Sequence, residues 1–487
     1  MNPILVFSII AIYFVMLMVI SYFTSKNTSD DSFYTGDRKS PWPLVAYGMV
    51  GAALSGVTFV SIPGMVSNNF FYYFQFVIGN VLGYVFIVFV LIPIYYKLKL
   101  VSIYSYLSSR FGNYSYKTGS LLFLISQSFG AALRLLLAAK VLQYALFDNY
   151  NIPFPVTVII ILLLIWLYIN KSGIKTIVWT DTLQTTFLIF AAIVAIVFVK
   201  NSLGLSISET LVSIKEHQYF DLFNWDFNSG NNFFKQIISG VLIAIAMMGL
   251  DQNIMQKTLT CKSKKDAQKN ALVFSIILAI TQFLFLGLGV MLYIYAEKNG
   301  ITLESVNGEF VNTDTLFPIL SLNHFGLFAS ITFVLGITAA AFSSVDSALT
   351  ALTTSFTYDF LDVEHKSGKE KIKIKNRVLF SFSVIVFIII MLFSNSKGDV
   401  ISTIFKVAGY TYGPLLGLYL LGIFTKVKIY DKSVPILCIA APIATYYLNY
   451  YLIAKFNFDL GFMNIFVNAL LTILSLIITQ KLIINAK

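Results

Sequence analysis

Apolar runs long enough to cross a hydrocarbon layer of about 30 Å follow one another along nearly the whole chain. They fall near residues 3–22, 42–66, 72–95, 118–146, 153–170, 176–200, 232–256, 270–296, 328–360, 378–394, 400–425, 433–452 and 461–483. Inside a bilayer the backbone has no water to bond, so runs of this length are stable only as internally bonded helices. The thirteen runs predict an all-α integral membrane protein, and 57% hydrophobic against 12% charged residues leaves little room for a soluble catalytic domain. The first run lacks a basic leader and a small-residue cleavage site, so it reads as a retained helix.

The net charge of +11 is explained by where the charges lie. Of 34 Lys and Arg, 25 sit in alternate connections: Lys26, Arg38 and Lys39; Lys97 to Lys117; Lys171 and Lys175; Lys257 to Lys269; Lys366 to Arg377; Lys426 to Lys432; and the C-terminal tail. Basic loops stay cytoplasmic, which predicts a multi-pass plasma-membrane protein with its N-terminus outside and its C-terminus inside, and no nucleic-acid partner. Cys261 and Cys438 make no disulfide framework, and His217, His324 and His365 are scattered. No nucleophile–base pair or metal triad appears, so an enzyme is not expected.

The segment Ala339–Phe360 breaks the apolar pattern with Ser343, Ser344, Asp346, Ser347, Thr350, Thr353 and Thr354. A carboxylate at membrane depth costs about 2.5–3.5 kcal/mol on insertion scales, so it faces the protein interior with a partner and a task. Ser343, Asp346 and Ser347 fall at i, i+3 and i+4, which puts two hydroxyls and a carboxylate on one helical face. Such hard oxygen donors suit a small cation. The alternative is that the hydroxyls only join helices to one another.

Two spans carry interruptions. The second holds GAALSGVTFVSIPG (Gly51–Gly64), and the seventh holds Gly240, Gly249 and the polar run GLDQNIMQK (Gly249–Lys257). Glycine and proline there free backbone groups that are tolerated only where they are buried or line a cavity. The two lie five spans apart, so they run in opposite directions. Inverted halves that each open on a broken helix point to a midplane site in secondary transporters; the alternative is that the glycines only permit close helix packing.

Six segments in order then resemble the sodium/solute symporter family: LSGVTFVSIPG (Leu54–Gly64), IYSYLSSRFG (Ile103–Gly112), VWTDTLQ (Val178–Gln184), DQNIMQKTL (Asp251–Leu259), AAFSSVDSALTALTTSF (Ala340–Phe356) and GYTYGPLLGLYLLGIF (Gly409–Phe424). The resemblance implies a five-plus-five inverted-repeat core of the LeuT type within a single transporter domain. Residues 3–22 would be an extra helix, 42–200 and 232–425 the two repeats, and 433–483 two further helices. It also implies sodium-coupled uptake of a small polar solute (a sugar, sugar acid, amino acid or carboxylate) by alternating access, with sodium as coupling ion and no other cofactor.

Carried over by position, the resemblance puts the main sodium site on carbonyls of Gly51, Leu54 and Ala340 and hydroxyls of Ser343 and Ser344. A second cation site would use Asp181, Ser343, Asp346 and Ser347. Asp346 stands where some members have a hydroxyl; it would strengthen the site, take a proton, or pair with another side chain. Asp181 is alternatively a helix cap. Ser55, Thr58 and Phe76 match solute contacts, with ordinary packing as the alternative for Phe76, and Asn80 and Gln75 would add amide hydrogen bonds.

Arg134, deep in the fourth span, needs an anionic partner. It would clamp a substrate carboxylate, as an Arg on this helix does in the family's sialic-acid carriers, or else pair with Asp251 or bond broken-helix carbonyls. Ala131 holds the matching place, three residues away. A membrane sensor built on the same fold and a proton-coupled symporter are the alternative functions. Nothing in the chain indicates the oligomeric state.

Overall fold

The computed structural model describes residues 3–25, 32–301, 305–306, 309–310, 313–394 and 400–485. Lys26, Lys487 and the side chain of Lys171 lie outside the described residues. Each apolar run becomes helix. In α1 (Pro3–Ser25), Val6, Ile9, Tyr13 and Leu17 are buried, whereas Ile4, Phe7, Ile12 and Val19 point outward. Both faces are apolar, as a helix between protein and lipid requires.

The run at 42–66 is two helices, α2 (Trp42–Ala53) and α3 (Gly56–Asn69). Phe70, at φ 51, interrupts the helix before α4 (Tyr73–Phe86), which continues through a widened turn at Ile87–Leu91 to Leu98. The fourth run is α5 (Asn113–Leu142). The runs at 153–170 and 176–200 form one long element, α6 (Phe154–Ser202), jointed at Gly173 (φ 55, ψ −161). That backbone conformation strongly favours glycine, and the expected inter-helix loop shrinks to a single residue.

The second broken helix comprises α7 (Phe233–Ala244) and α8 (Gln252–Thr258), bent by 69°. Then follow α9 (Lys264–Lys298), α10 (Leu327–Leu361), α11 (Gly368–Phe393), α12 (Val400–Phe424), α13 (Val434–Phe456) and α14 (Asn464–Asn485). Between α9 and α10, the two-residue strands Ser305–Val306 and Glu309–Phe310 pair antiparallel, a small addition to the expected all-α pattern.

Among the described residues, ten helices are long and apolar enough to cross a membrane, or eleven with the bent pair α7–α8 taken as one. Length alone does not reach thirteen, because Trp42–Ala53 and Phe154–Ile169 are short and Gly56–Leu98 runs as one apolar stretch.

The bundle is built around α10. Its span is 83% buried, against 17% for α13, and it packs on α2, α3, α5 and α6. Small residues set the close crossings. A Cβ on Gly240 of α7 would stand 2.9 Å from the Cα of Gly79 in α4, so both positions must lack side chains for these helices to meet.

Candidate ion and solute sites

The break between α2 and α3 exposes carbonyls that a continuous helix would consume. Leu54 (φ −80, ψ 83) leaves helical geometry. The Ser55 N–H turns to the Ala53 carbonyl at 3.1 Å instead of reaching Gly51, and the α3 ladder starts with the Phe59 N–H on the Ser55 carbonyl at 3.0 Å. The Gly51 and Leu54 carbonyls are thereby released from helical pairing, in a buried setting.

Gly51 also seats α2 on α6. Its N–H donates to Thr185 Oγ1 at 2.8 Å, and a Cβ there would lie 3.1 Å from the Thr185 backbone. Gly51→Ala is therefore expected to cost about 1–3 kcal/mol by overpacking and to shift the carbonyl. A lower thermal midpoint with a weaker sodium response checks this; an unchanged midpoint would show that α2 has room to spare.

From α10, Ala340, Ser343 and Ser344 are all buried. The Ser344 hydroxyl donates to the Ala340 carbonyl at 2.9 Å, so two of the expected sodium ligands already touch. The Ser343 hydroxyl turns the other way and donates to Asp181 Oδ1 at 2.6 Å. Thr353 bonds back to the Leu349 carbonyl one turn earlier, while Thr354 bonds back to Thr350 and also accepts from Gln256 Nε2 of α8 at 3.2 Å, a link between helices as the helix-joining alternative has it.

The residues expected for a second cation come together as well. Asp181 lies inside α6 and is not a cap. Its Oδ2 takes an ion pair from Lys257 Nζ at 2.6 Å, and Lys257 also donates to Ser347 Oγ at 2.7 Å. The Ser347 hydroxyl in turn donates to Asp346 Oδ1 at 3.0 Å, and the Tyr168 hydroxyl donates to Asp346 Oδ2 at 2.5 Å. Lys257, counted above as a cytoplasmic loop charge, is thus a buried residue in the last turn of α8. The loop that seemed to begin at Lys257 begins beyond Thr258, the end of α8.

The second break is closed by side chains. Tyr95 and Tyr104 hydroxyls donate to the Gly249 and Leu250 carbonyls at 2.9 and 3.0 Å. Asp251 caps α8 by accepting from the Asn253 and Ile254 amides at 2.8 and 3.3 Å, and its other oxygen accepts from Tyr412 at 2.5 Å. Its oxygens are committed there, and the Lys and Arg ion pairs among the described residues are Lys175–Asp37 and Lys257–Asp181. Arg134 and Asp251 do not form one.

A cavity opens beside the first break. Ser55, Thr58, Tyr73, Asn80, Arg134, Gln282 and Phe405 contribute to its wall. Ser55 precedes α3 without capping it, so its hydroxyl is not engaged by the helix N-terminus. Arg134 also borders a smaller cavity with Ser126, Gln127 and Tyr412. Asn80 Oδ1, Gln282 Oε1 and Gln127 Nε2 are buried without a hydrogen-bond partner, which leaves polar valences turned towards these spaces.

Phe76 and Gln75 are not in the wall. Phe76 stacks behind Tyr73 and Phe405 at centroid distances of 5.5 and 5.0 Å. Gln75 spends its amide on the carbonyls of Tyr72 and Asn231 and on the Asn224 N–H. Tyr73 and Gln282 were missed by sequence reasoning. Gln282 carried a signal, an amide amid the apolar AITQFLFL, whereas Tyr73 looks like any interfacial aromatic.

Comparison with known proteins agrees with this architecture. A Na+-coupled sialic acid symporter, solved in a substrate-bound outward-open state, superposes with a TM-score of 0.82 over 98% of both chains at 23% identity. The nucleobase-cation-symport-1 family transporter Mhp1, in a closed conformation, gives 0.55 at 14% identity over 95% of this chain and 96% of its own. In sequence, the sodium/sialic acid symporter SiaT of Proteus mirabilis (strain HI4320) is 25% identical over 84% of this chain and 82% of its own. NanT of Aliivibrio fischeri, also a sodium/sialic acid symporter, is 24% identical over 87% and 83%. The family model for the sodium:solute symporter family matches residues 33–429, most of the length, and the chain belongs to that family.

Proposed function

We propose that this sodium-coupled symporter carries a small organic anion, a carboxylate with hydroxyl groups, into the cell. The observation that carries this reading is Arg134, a guanidinium at the wall of the cavity with no ion pair among the described residues. A planar fork of N–H donors matches a carboxylate, and in a low-dielectric site an unpaired cation calls for one. Relatives named as sialic acid symporters and as sodium-coupled monocarboxylate transporters, the latter from Mus musculus, handle solutes of that charge. Ser55, Thr58, Asn80 and Gln282 would bond the solute's hydroxyls; Phe76 and Gln75 would hold the wall in place from behind.

In this reading the Gly51, Leu54 and Ala340 carbonyls and the Ser343 and Ser344 hydroxyls hold sodium. Sodium then ties α2 to α10 and favours the outward-open state, which raises affinity for the solute by linkage. Inward rocking releases both. The chain is read as thirteen crossings with an outside N-terminus and a cytoplasmic C-terminus, in the plasma membrane. Residues 42–200 and 232–425 are the inverted repeats, flanked by the helices 3–22 and 433–483. The interruption at Phe70 and the joint at Gly173 support that count, since each divides an apolar stretch, whereas the break at Leu54 falls inside a single crossing.

Thermal stability of the purified protein tests the sodium assignment. Sodium, but not potassium or choline, should stabilise it, by about 2.7 kcal/mol at a hundred times its dissociation constant. Ser343→Ala with Ser344→Ala should remove that response while the protein stays folded in the membrane. Normal sodium stabilisation in the double variant would refute the site.

A further inference from the structure

Asp181, Ser343, Asp346 and Ser347 meet around a positive charge that the protein itself supplies. Lys257 Nζ stands 2.6 Å from Asp181 Oδ2 and 2.7 Å from Ser347 Oγ, and both charged side chains are 1% exposed. The other Asp181 oxygen accepts from Ser343 at 2.6 Å. Ser347 accepts from Lys257 and donates to Asp346, so its hydroxyl is used in both directions. Asp346 is completed by Tyr168 at 2.5 Å. Every group that would face a second sodium ion is therefore already turned to the ammonium or to another member of the cluster.

An ammonium and a sodium ion carry the same charge and seek the same hard oxygen atoms, carboxylate and hydroxyl. Two such cations among these side chains would repel strongly in a low-dielectric interior. Building on the sodium-symport reading above, we infer that Lys257 is a tethered cation that fills the second sodium position, so that this symporter moves one sodium ion per cycle.

The consequence is energetic as well as structural. A free ion that enters from outside and leaves inside delivers the work of its gradient; a lysine that stays on α8 cannot. Its charge still joins α8 to α6 and α10, but it adds nothing to the driving force. Relative to a two-sodium carrier, this protein forgoes roughly fifty-fold accumulation per 100 mV of membrane potential.

Sodium itself is the probe. In the purified full chain, the folded-to-unfolded ratio is measured against sodium concentration above saturation, at constant ionic strength with choline. One bound ion raises that ratio tenfold per decade of sodium, and two raise it a hundredfold. The wild type should give tenfold. Lys257→Gln should give a hundredfold, because Asp181 then accepts sodium in place of the ammonium. Lys257→Arg keeps a cation, and Lys257→Gln with Asp181→Asn removes the carboxylate; both should return to tenfold. A hundredfold slope in the wild type overturns the inference without reference to any variant's folding. Tenfold in a folded Lys257→Gln also overturns it. No sodium response in any form, including the wild type, would instead bring down sodium coupling itself.

Discussion

Arg134→Gln is expected to abolish sodium-driven uptake of an anionic solute while leaving the stabilisation by sodium intact. Truncating one partner of a buried, hydrogen-bonded charge pair costs about 2–5 kcal/mol, which is roughly 30- to 4,000-fold in affinity. Arg134→Lys should recover part of this, since it keeps the charge but not the two-pronged donor geometry. The decisive contrast is with stability. Were Arg134 a structural ion-pair partner, its removal would strand a buried carboxylate and destabilise the protein by several kcal/mol. Asp251, the nearest candidate, already has its oxygens on Tyr412 and on the α8 amides. Arg134 makes no direct ion pair, so its removal should leave the solute-free protein close to its original stability. A panel of sugar acids and short carboxylates, read by solute-dependent thermal shift and by uptake into proteoliposomes, separates the two. A destabilised Arg134→Gln that still concentrates an anion would overturn the clamp.

How much of this could be read in advance depended on whether the signal was local. Spans were legible because lipid demands unbroken apolar length, and the broken helices because Ser-Gly and Asp251 interrupt that length at single positions. The Gly173 joint was not, because a glycine in VWTDTLQ's upstream flank looks like the start of a loop until its φ is known. In the sequence, Gln75 is an amide available to a solute. Its partners, Asn224 and Asn231, come from a connection about 150 residues away that no periodicity could place there. Lys257 was the largest misreading. A lone lysine at the end of an apolar run is normally a loop charge, and only tertiary structure joins it to Asp181, 76 residues back, and to Ser347, 90 residues on.

That ion pair yields the second large effect, because its two halves are not equivalent. Asp181→Asn leaves the buried Lys257 ammonium without its direct ion-pair partner, and it reaches Asp346 only through the Ser347 hydroxyl. An unpaired buried charge of this kind destabilises by about 3–5 kcal/mol. Lys257→Gln leaves the Asp181 carboxylate equally exposed to desolvation, yet here a remedy exists in solution, since sodium is small enough to enter and is positively charged. The two single variants should thus be similarly unstable in choline and diverge in sodium, where only Lys257→Gln recovers. The double variant, Asp181→Asn with Lys257→Gln, removes both charges and should lie within about 1–2 kcal/mol of the wild type in either salt, since neutral replacement of a whole buried pair is often close to neutral. Thermal midpoints of the four forms in the two salts complete the cycle. If both single variants respond to sodium alike, the ammonium is not standing in for an ion, and the pair is a brace between α8, α6 and α10 and no more.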